Sequence, residues 1–393
     1  MANLAHKIRL YPNNKQATLL SKTVGVARFA FNLALSWWKV EYENGGKPNE
    51  ANLRKRLNQV KYQDYPWMLE VSKCSIQQAI KNVGRAFQNF FKKIGQYPKF
   101  KKKGIHDSAY FDNCQFYLKG KYIHLAKVGK VRLAERLRFE GKLMSATISR
   151  EADQWYVSIQ VETEVKQLDK TNSNDGVDVG VQQYNSVTTE STVPRSYRSK
   201  SRKLRRLQQY LSRKQIGSNN RQKAKTKVAR CHLRIRNIRQ DWLHKYTTDL
   251  VRNNDVIGIE NLNIRGMLRN KRLAKSITDA SFGEFRRQLE YKAALYGRTI
   301  VVIPRFFPSS KLCNRCLTKT KKMSLSVRSW KCENCGEVHD RDRNAAINIR
   351  NYALEASSAL SACGVFSPLG HLLVVDDLSP TVKQELNLKF TAT

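Results

Sequence analysis

Apolar and polar residues alternate at the start of the chain: His6-Lys7-Ile8-Arg9-Leu10-Tyr11 reads as a strand, closed by Pro12. Asn13 and Asn14 then offer a helix N-cap. Leu19, Leu20, Val24, Ala27, Phe31, Leu35 and Trp38 follow at helical spacing. Helical segments continue from about Glu50 to Gln96, with Ile76, Ile80, Val83, Phe87, Phe90 and Phe91 as the buried stripe. Pro98-Lys99-Phe100-Lys101-Lys102-Lys103-Gly104 breaks them. From there to about Val165 the period falls to two. It is clearest where Trp155, Val157, Ile159 and Val161 alternate with Tyr156, Ser158, Gln160 and Glu162. Residues 169–175 (DKTNSND) are polar and linker-like, and a domain boundary is expected there.

Beyond that boundary, Gly176-Val177-Asp178-Val179-Gly180 is a short apolar strand with an acid in its middle. Residues 191–240 hold 17 Lys and Arg and no Asp or Glu. Leu204, Leu207 and Leu211, then Val228, Cys231, Ile235, Ile238 and Trp242 beyond Gly217-Ser218-Asn219-Asn220, predict a helical hairpin there. It would have one packed face and one cationic face. A merely solvated face normally mixes signs, so Arg205, Arg206, Arg213, Lys214, Arg234 and Arg236 are candidate nucleic-acid contacts. Asp255 to Glu260 reads as a strand ending in an acid, 281–296 as a helix, and Thr299 to Ile303 as a buried strand stopped by Pro304. A cysteine-bearing insertion and a helix from about Arg343 follow. From Ser357 the basic character is lost, with Asp376, Asp377 and Glu385 against Lys383 and Lys389, and a disordered tail over 357–393 is expected.

The charge sharpens this outline. The 393 residues carry 72 Lys and Arg against 32 Asp and Glu, a net charge of +40, while 41% are hydrophobic, enough for real cores. Such a charge calls for a polyanion, because self-repulsion costs stability until something neutralises it. Nucleic acid fits better than a membrane, since no apolar run reaches the roughly 18 residues of a spanning helix. The N-terminus lacks the apolar core of a secretory signal, and eight cysteines do not make a disulfide scaffold, so a reducing cytoplasmic setting is expected.

Four of those cysteines are clustered. Cys313 and Cys316 form one C-x2-C pair and Cys332 and Cys335 another, a spacing that folds four thiolates around a structural zinc ion. His339 lies nearby, but four cysteines already fill such a site. Cys74, Cys114, Cys231 and Cys363 are isolated and read as small buried hydrophobes.

Three acids stand in surroundings wrong for ordinary surface carboxylates: Asp178 between valines, Glu260 at the end of an apolar strand, and Asp342 where a strand or loop enters a helix. A carboxylate in an apolar strand costs several kcal/mol of desolvation unless cations or donors compensate. Together the three suggest a divalent-metal centre, in which two Mg²⁺ about 4 Å apart stabilise the attacking and leaving oxygens of a phosphodiester. Singly, each could equally accept backbone or Arg hydrogen bonds, and the pattern fits several metal-dependent nucleases and polynucleotidyl transferases.

Asp178 in GVDVGV, Glu260 in IGIENLNIRGM and Asp342 in HDRDRNAAINI resemble the three segments of a RuvC-like nuclease domain. The stretch from Phe307-Pro308-Ser309-Ser310-Lys311-Leu312-Cys313 to Cys335-Gly336 resembles the zinc ribbon inserted there in TnpB (OrfB) proteins, transposon-encoded RNA-guided DNA endonucleases related to type V CRISPR effectors. HKIRLYPNNKQATLL and PKFKKK are similar to that family's N-terminal region. Leu317 departs from the family, which usually carries Gly after the second Cys, and VQQYNSVTTEST after Gly180 is less regular than its usual strand.

The resemblance implies an α+β multidomain chain. A β-barrel-like wedge domain (1–15 and 98–170) would be interrupted by a helical recognition lobe (16–97). An RNase H-like (RuvC) α/β domain (176–310 and 339–356) would carry an inserted zinc ribbon (311–338). It implies that Asp178, Glu260 and Asp342 bind Mg²⁺ and hydrolyse DNA, with Asp340 a rival third ligand that the Asp-x-Asn-Ala-Ala alignment disfavours. The implied partners are a guide RNA from the chain's own locus and target DNA, with no membrane. A monomer in a prokaryotic cytoplasm, associated with the nucleoid, is the expected state. The alternatives are a nuclease-silent RNA-guided repressor, a transposase that joins DNA ends, and a zinc-ribbon RNA-binding protein without chemistry. The last would leave the three embedded carboxylates unexplained. Against the transposase, no separate helix-turn-helix domain is evident.

Overall fold

A computed structural model describes residues 1–320, 323–324, 326–362 and 372–375. The chain forms two compact units, Met1–Glu164 and the residues from Val165 onward. Among the described residues no helix is long and apolar enough to cross a membrane.

The first unit opens with β1 (Ala2–Tyr11), whose inward residues His6, Ile8 and Leu10 alternate with outward Lys7, Arg9 and Tyr11. Three helices follow: α1 (Asn14–Glu43), α2 (Glu50–Val60) and α3 (Lys73–Phe91). Asn13 caps α1 with its side chain on the Gln16 N–H while the Gln16 side chain returns to the Asn13 N–H, satisfying two otherwise orphaned donors. Trp38 of α1 stacks on Phe87 of α3 with ring centres 4.5 Å apart. The buried stripe of α3 runs through Ile76, Ile80, Val83 and Phe87 and stops there. Phe90 is half-buried and Phe91 is 62% exposed, because both sit in the last turn of α3, past the end of the core.

Next come β2 (Ser108–Asp112), β3 (Phe116–Lys119), β4 (Tyr122–Leu125), β5 (Gly129–Leu133), β6 (Lys142–Glu151) and β7 (Gln154–Thr163). With β1 they build an antiparallel sheet in the order β2-β6-β7-β1-β5-β4-β3. Trp155, Val157, Ile159 and Val161 of β7 all point into the core shared with the helices. The PKFKKK segment forms neither helix nor strand and is pinned to α1, where Asn32 and Lys101 exchange hydrogen bonds of 3.0 and 2.8 Å.

The second unit starts with a three-stranded meander, β8 (Asn174–Val179), β9 (Gln183–Ser186) and β10 (Glu190–Thr192). The basic hairpin is α4 (Ser196–Ser212) and α5 (Asn219–Asn253). Then follow β11 (Val256–Glu260), α6 (Ile264–Leu268), α7 (Ala274–Ala280), α8 (Phe282–Tyr296) and β12 (Thr299–Ile303). The chain continues through β13 (Ser329–Lys331), β14 (Val338–Asp340), α9 (Arg341–Ala362) and β15 (Leu372–Val374). The sheet order is β10-β9-β8-β11-β12-β15, with β8, β11, β12 and β15 parallel and the two hairpin pairings antiparallel.

Both faces of this sheet are covered, so β12 is apolar throughout rather than alternating. Ile300 and Val302 join the core with Leu243 and Leu250 of α5 and Leu289 of α8, while Val301 and Ile303 join the core with Ile349, Tyr352 and Ala353 of α9.

Three expectations are corrected here. Cys114 is exposed on the surface, whereas Cys74 and Cys231 are buried as expected. Residues 169–175 are not a free linker. Asp255 accepts from the Thr171 and Asn172 N–H groups at 3.0 and 2.8 Å. Arg298 bridges Asp255 (2.6 Å) to the Asp169 carbonyl (2.8 Å). Asp175 is fully buried at the start of β8, closing the β9–β10 turn through the Val187 N–H and the Thr188 hydroxyl. Nor is everything beyond residue 356 disordered: α9 runs on to Ala362, and Leu372–Val374 adds an edge strand to β12 because the apolar run there buries Val375 against α9. Cys363 and the charges Asp376, Asp377, Lys383, Glu385 and Lys389 lie outside the described residues.

The first turn of α4 has no side-chain cap of its own. Buried Asp279 of α7 supplies one, accepting from the Ser196 hydroxyl (2.9 Å) and from the Tyr197 and Arg198 N–H groups (2.7 and 3.2 Å). Replacing Asp279 with Ala is expected to cost about 1–2 kcal/mol, the upper range for a lost helix cap. Amide exchange would speed up first over residues 196–200, and unchanged protection there would remove this role.

Candidate functional site

The acids are arranged by glycines. Gly176 and Gly258 are paired in the parallel register of β8 and β11, and one step beyond the last registered pair, Val177 and Ile259, lie Asp178 and Glu260. A strand repeats its facing every second residue, so both acids share the glycines' face. That face carries α9. A Cβ on Gly176 would stand 2.2 Å from the Ala346 carbonyl oxygen and 2.3 Å from the Arg350 nitrogen; one on Gly258 would stand 2.7 Å from the Ile349 carbonyl. The backbone of α9 therefore lies directly on the sheet, and its first turn brings Asp342 to the strand acids.

Electrostatics registers the convergence. Burial, then the negative charges of Glu260 and Asp342, push the Asp178 carboxyl well above the ordinary carboxylate range, with Arg341 opposing. Burial also raises Glu260, offset by a 3.0 Å hydrogen bond from the Ser309 hydroxyl. Arg328 reaches Asp342 at 3.5 Å. A cavity of about 420 Å³ is lined by Asp178, Gln182, Gln183, Asn185, Arg328, Asp340 and Asp342, among others; Glu260 does not line it. Asp340 spends one carboxylate oxygen on the Asp342 and Arg343 N–H groups, at 3.1 and 2.8 Å, and so caps α9. A negatively charged cluster that is partly desolvated and under-compensated is a donor set suited to hard divalent cations.

Ser309 was not singled out from the sequence, nor were its supports. Its carbonyl accepts from Asn348 at 2.8 Å, and the Leu312 carbonyl accepts from Asn344 (2.8 Å) and Asn348 (2.7 Å). Both asparagines are buried, and both lie in the RNAAINI stretch noted for Asp342 alone. The signal available was their apolar surroundings, the same clue that picked out the acids.

The four cysteines converge more tightly. Cys313, Cys316, Cys332 and Cys335 place all four sulfurs within 4.8 Å of one another, and among the described residues no other set of three or more Cys, His, Asp or Glu ligand atoms does so. The three carboxylates are thus more widely spaced than the thiols. Two Sγ···Sγ distances, 3.6 and 3.5 Å, lie near the edge of about 3.8 Å that a tetrahedral ion with 2.3 Å bonds requires. His339 is buried and stays outside the set, its Nε2 3.1 Å from the Cys313 sulfur and its ring against Trp330. It is placed to orient a ligand rather than be one. Leu317 adopts a left-handed backbone, φ +59°, which suits glycine and costs an L-residue about 1–2 kcal/mol. Its side chain packs against the Tyr352 cluster in partial return.

On the hairpin, Arg205, Arg206, Arg213 and Arg234 are exposed, Lys214 is half-buried with its amine 4.4 Å from the Tyr210 ring centre, and Arg236 is half-buried. None of the six lines the carboxylate cavity.

Comparison with known proteins bears on all of this. A protein of Streptomyces pristinaespiralis named "Putative RNA-guided DNA endonuclease" is 39% identical, covering 92% of this chain and 90% of its own. The chain belongs to the TnpB (OrfB) family. An Escherichia coli K12 member named "Putative RNA-guided DNA endonuclease InsQ" is 33% identical over 92% of this chain and 94% of its own. Family models match in three places: "Probable transposase" over 158–271, "Cas12f1-like, TNB domain" over 282–349 and "Helix-turn-helix domain" over 1–47. The last of these corrects the expectation that no helix-turn-helix domain is evident, although the matched residues here form one strand and one long helix, β1 and α1. Among solved structures, a chain of a Cas12f1–sgRNA–target DNA complex aligns with a TM-score of 0.54 at 13% identity, over 89% of this chain and 99% of that one, a likeness of fold.

Two outcomes are expected of this TnpB-family chain. Gly258→Ala should destabilise by about 1–3 kcal/mol through overpacking, lowering the melting temperature by roughly 2–4 °C per kcal/mol. Gly283→Ala, whose added Cβ meets only Ile264 at 3.5 Å, should not. Equal melting of the two variants would refute the close approach of α9. Separately, the purified protein should release one zinc per chain to a chromogenic chelator after thiol modification, and Cys332→Ser should abolish that release. Zinc retained by the variant would disprove the four-sulfur site.

Proposed function

We propose that this TnpB-family protein is an RNA-guided DNA endonuclease that hydrolyses phosphodiester bonds at Asp178, Glu260 and Asp342. The carrying observation is the electrostatic convergence of three carboxylates from β8, β11 and α9, elements far apart in sequence, beside a cavity of about 420 Å³. The strand order, a β8–β9–β10 meander followed by parallel β11 and β12, supports an RNase H-like (RuvC) domain. The four-cysteine segment supports a zinc ribbon inserted at 311–338, and the first unit supports a wedge-like sheet with a helical recognition lobe.

The three carboxylates would hold Mg²⁺, which when bound supplies charge stabilisation for the attacking and leaving oxygens of the phosphodiester. The chain's own contribution is placement. Ser309 fixes one oxygen of Glu260, so that the other side of the carboxylate is free to turn toward the cluster. Asp340 is engaged as the α9 cap, which favours Asp342 as the third ligand. Arg328, borne on the four-cysteine segment, reaches Asp342 and can neutralise phosphate beside it.

Sequence choice is delegated to a guide RNA, which requires of the protein only shape and backbone charge. The +40 net charge and the exposed arginines of α4 and α5 supply that. The chain acts as a monomer on cytoplasmic, nucleoid DNA.

With its co-purified RNA and Mg²⁺, the protein should cut DNA matching that RNA. Asp178→Ala should remove about 4 kcal/mol of transition-state stabilisation, roughly a thousandfold in rate, while RNA binding stays within about twofold because the residue lies off the basic hairpin. Undiminished cutting by the variant refutes the assignment. Joined rather than cleaved DNA ends would reassign the chain to strand transfer. Target occupancy without breaks in the wild type would reassign it to a repressor.

A further inference from the structure

We infer that Phe306 is a stacking platform for a base of the DNA strand being cut, resting on the endonuclease reading above. Phe306 is 91% exposed, more than any other large hydrophobic residue described. A lone exposed apolar side chain needs no explanation by itself, but the loop that bears this one is held. Pro304 and Pro308 bracket it, the Phe307 N–H donates to the Pro304 carbonyl at 3.1 Å, and the Ser309 N–H donates to the Phe307 carbonyl at 2.9 Å. The neighbouring Phe307 ring is anchored against Tyr352 of α9 at 4.7 Å, and Asn348 holds the Ser309 carbonyl. One phenylalanine of the pair is therefore fixed inward and the other is presented outward on a braced turn, beside the exposed Arg305.

Its position gives that presentation a use. Phe306 lies three residues before Ser309, whose hydroxyl holds Glu260. Three residues of chain reach at most about 11 Å, close to the span of one or two nucleotides of an extended strand. A ring tethered that close along the chain to the residue that holds Glu260 can stack on a base near the scissile phosphate, with the exposed Arg305 next to it in sequence. Stacking is tolerant of sequence because every base has a π-face, which suits an enzyme whose sequence choice lies elsewhere. Phe306 touches substrate in this account but takes no part in proton or phosphoryl transfer, so its effect falls on strand capture and alignment.

The test uses the full-length protein with its co-purified RNA and a matched DNA target carrying 5-iododeoxyuridine at successive positions near the cut. Irradiation and peptide mapping should place a cross-link on Phe306 from one or two of those positions. Phe306→Ala should lose that cross-link and cut about tenfold more slowly, whereas Phe306→Trp should restore cutting. Because the side chain is exposed, both variants should melt like the wild type. Absence of a cross-link at this residue, cutting by Phe306→Ala at the wild-type rate, or a cross-link appearing only when the iodinated base is in the RNA would overturn the inference. Should the wild type cut nothing, the endonuclease reading fails and the cross-link alone decides whether DNA stacks here.

Discussion

The site depends on a helix backbone resting against two glycines. Three carboxylates repel one another and lose hydration when gathered, so no attraction among them can hold the cluster together. Packing must do it. Helix α9 sits so close to β8 and β11 that Gly176 and Gly258 have no room for a methyl group, and it presents Ala345, Ala346, Ala353 and Ala356, all buried. Small residues on both sides shorten the helix–sheet distance, and a short distance brings Asp342, on the first turn, down to the row holding Asp178 and Glu260. The apolar contacts of Ile349 and Tyr352 against Val301 and Ile303 offset the cost of the desolvated charge.

This arrangement was partly legible in the sequence. An acid within a valine-rich strand is out of place by the plain rule that charge avoids apolar surroundings, which marks Asp178 and Glu260; the glycine two residues before each was equally visible, but its purpose depends on a helix 90 to 170 residues away. The cysteine spacing was legible because chelation geometry is local. Asp175, Asp255 and Asp279 were not, since each is satisfied by backbone N–H groups or a cation far along the chain. Polarity over residues 169–175 suggested a linker for the same reason: composition cannot say whether a polar group faces water or a remote partner. The stripe on α3 was extended two aromatics too far because periodicity carries no information about where a core ends.

Charge divides the labour between the two kinds of acid and base in this chain. Most of the basic residues of α4 and α5 are exposed, with few carboxylates to answer them, an arrangement that is unfavourable in isolation and relieved by a polyanion. The acids that might have paired with them are instead committed inside the second unit: Asp175 to a turn, Asp255 to Arg298, Asp279 to the first turn of α4 itself. Spending Asp279 on a helix cap thus fixes the direction of the cationic hairpin while leaving its outer face unneutralised.

The four-cysteine segment poses a folding problem, because it interrupts the chain between Ser309, which holds Glu260, and Asp342. An insertion there would disturb the carboxylates unless its two ends were tied to each other. They are. Asn344 and Asn348, on the helix that leaves the ribbon, bind the carbonyls of Leu312 and Ser309 on the loop that enters it, and Asn344 also accepts from the Asn314 N–H at 3.1 Å. The Arg341 N–H closes onto the Arg328 carbonyl at 2.8 Å. With entry and exit clipped together on α9, the four-cysteine segment can carry a left-handed residue such as Leu317 without parting its two ends. Among the described residues of that segment, Arg328 reaches the acids directly, as an ion pair with Asp342 that a phosphate could compete for.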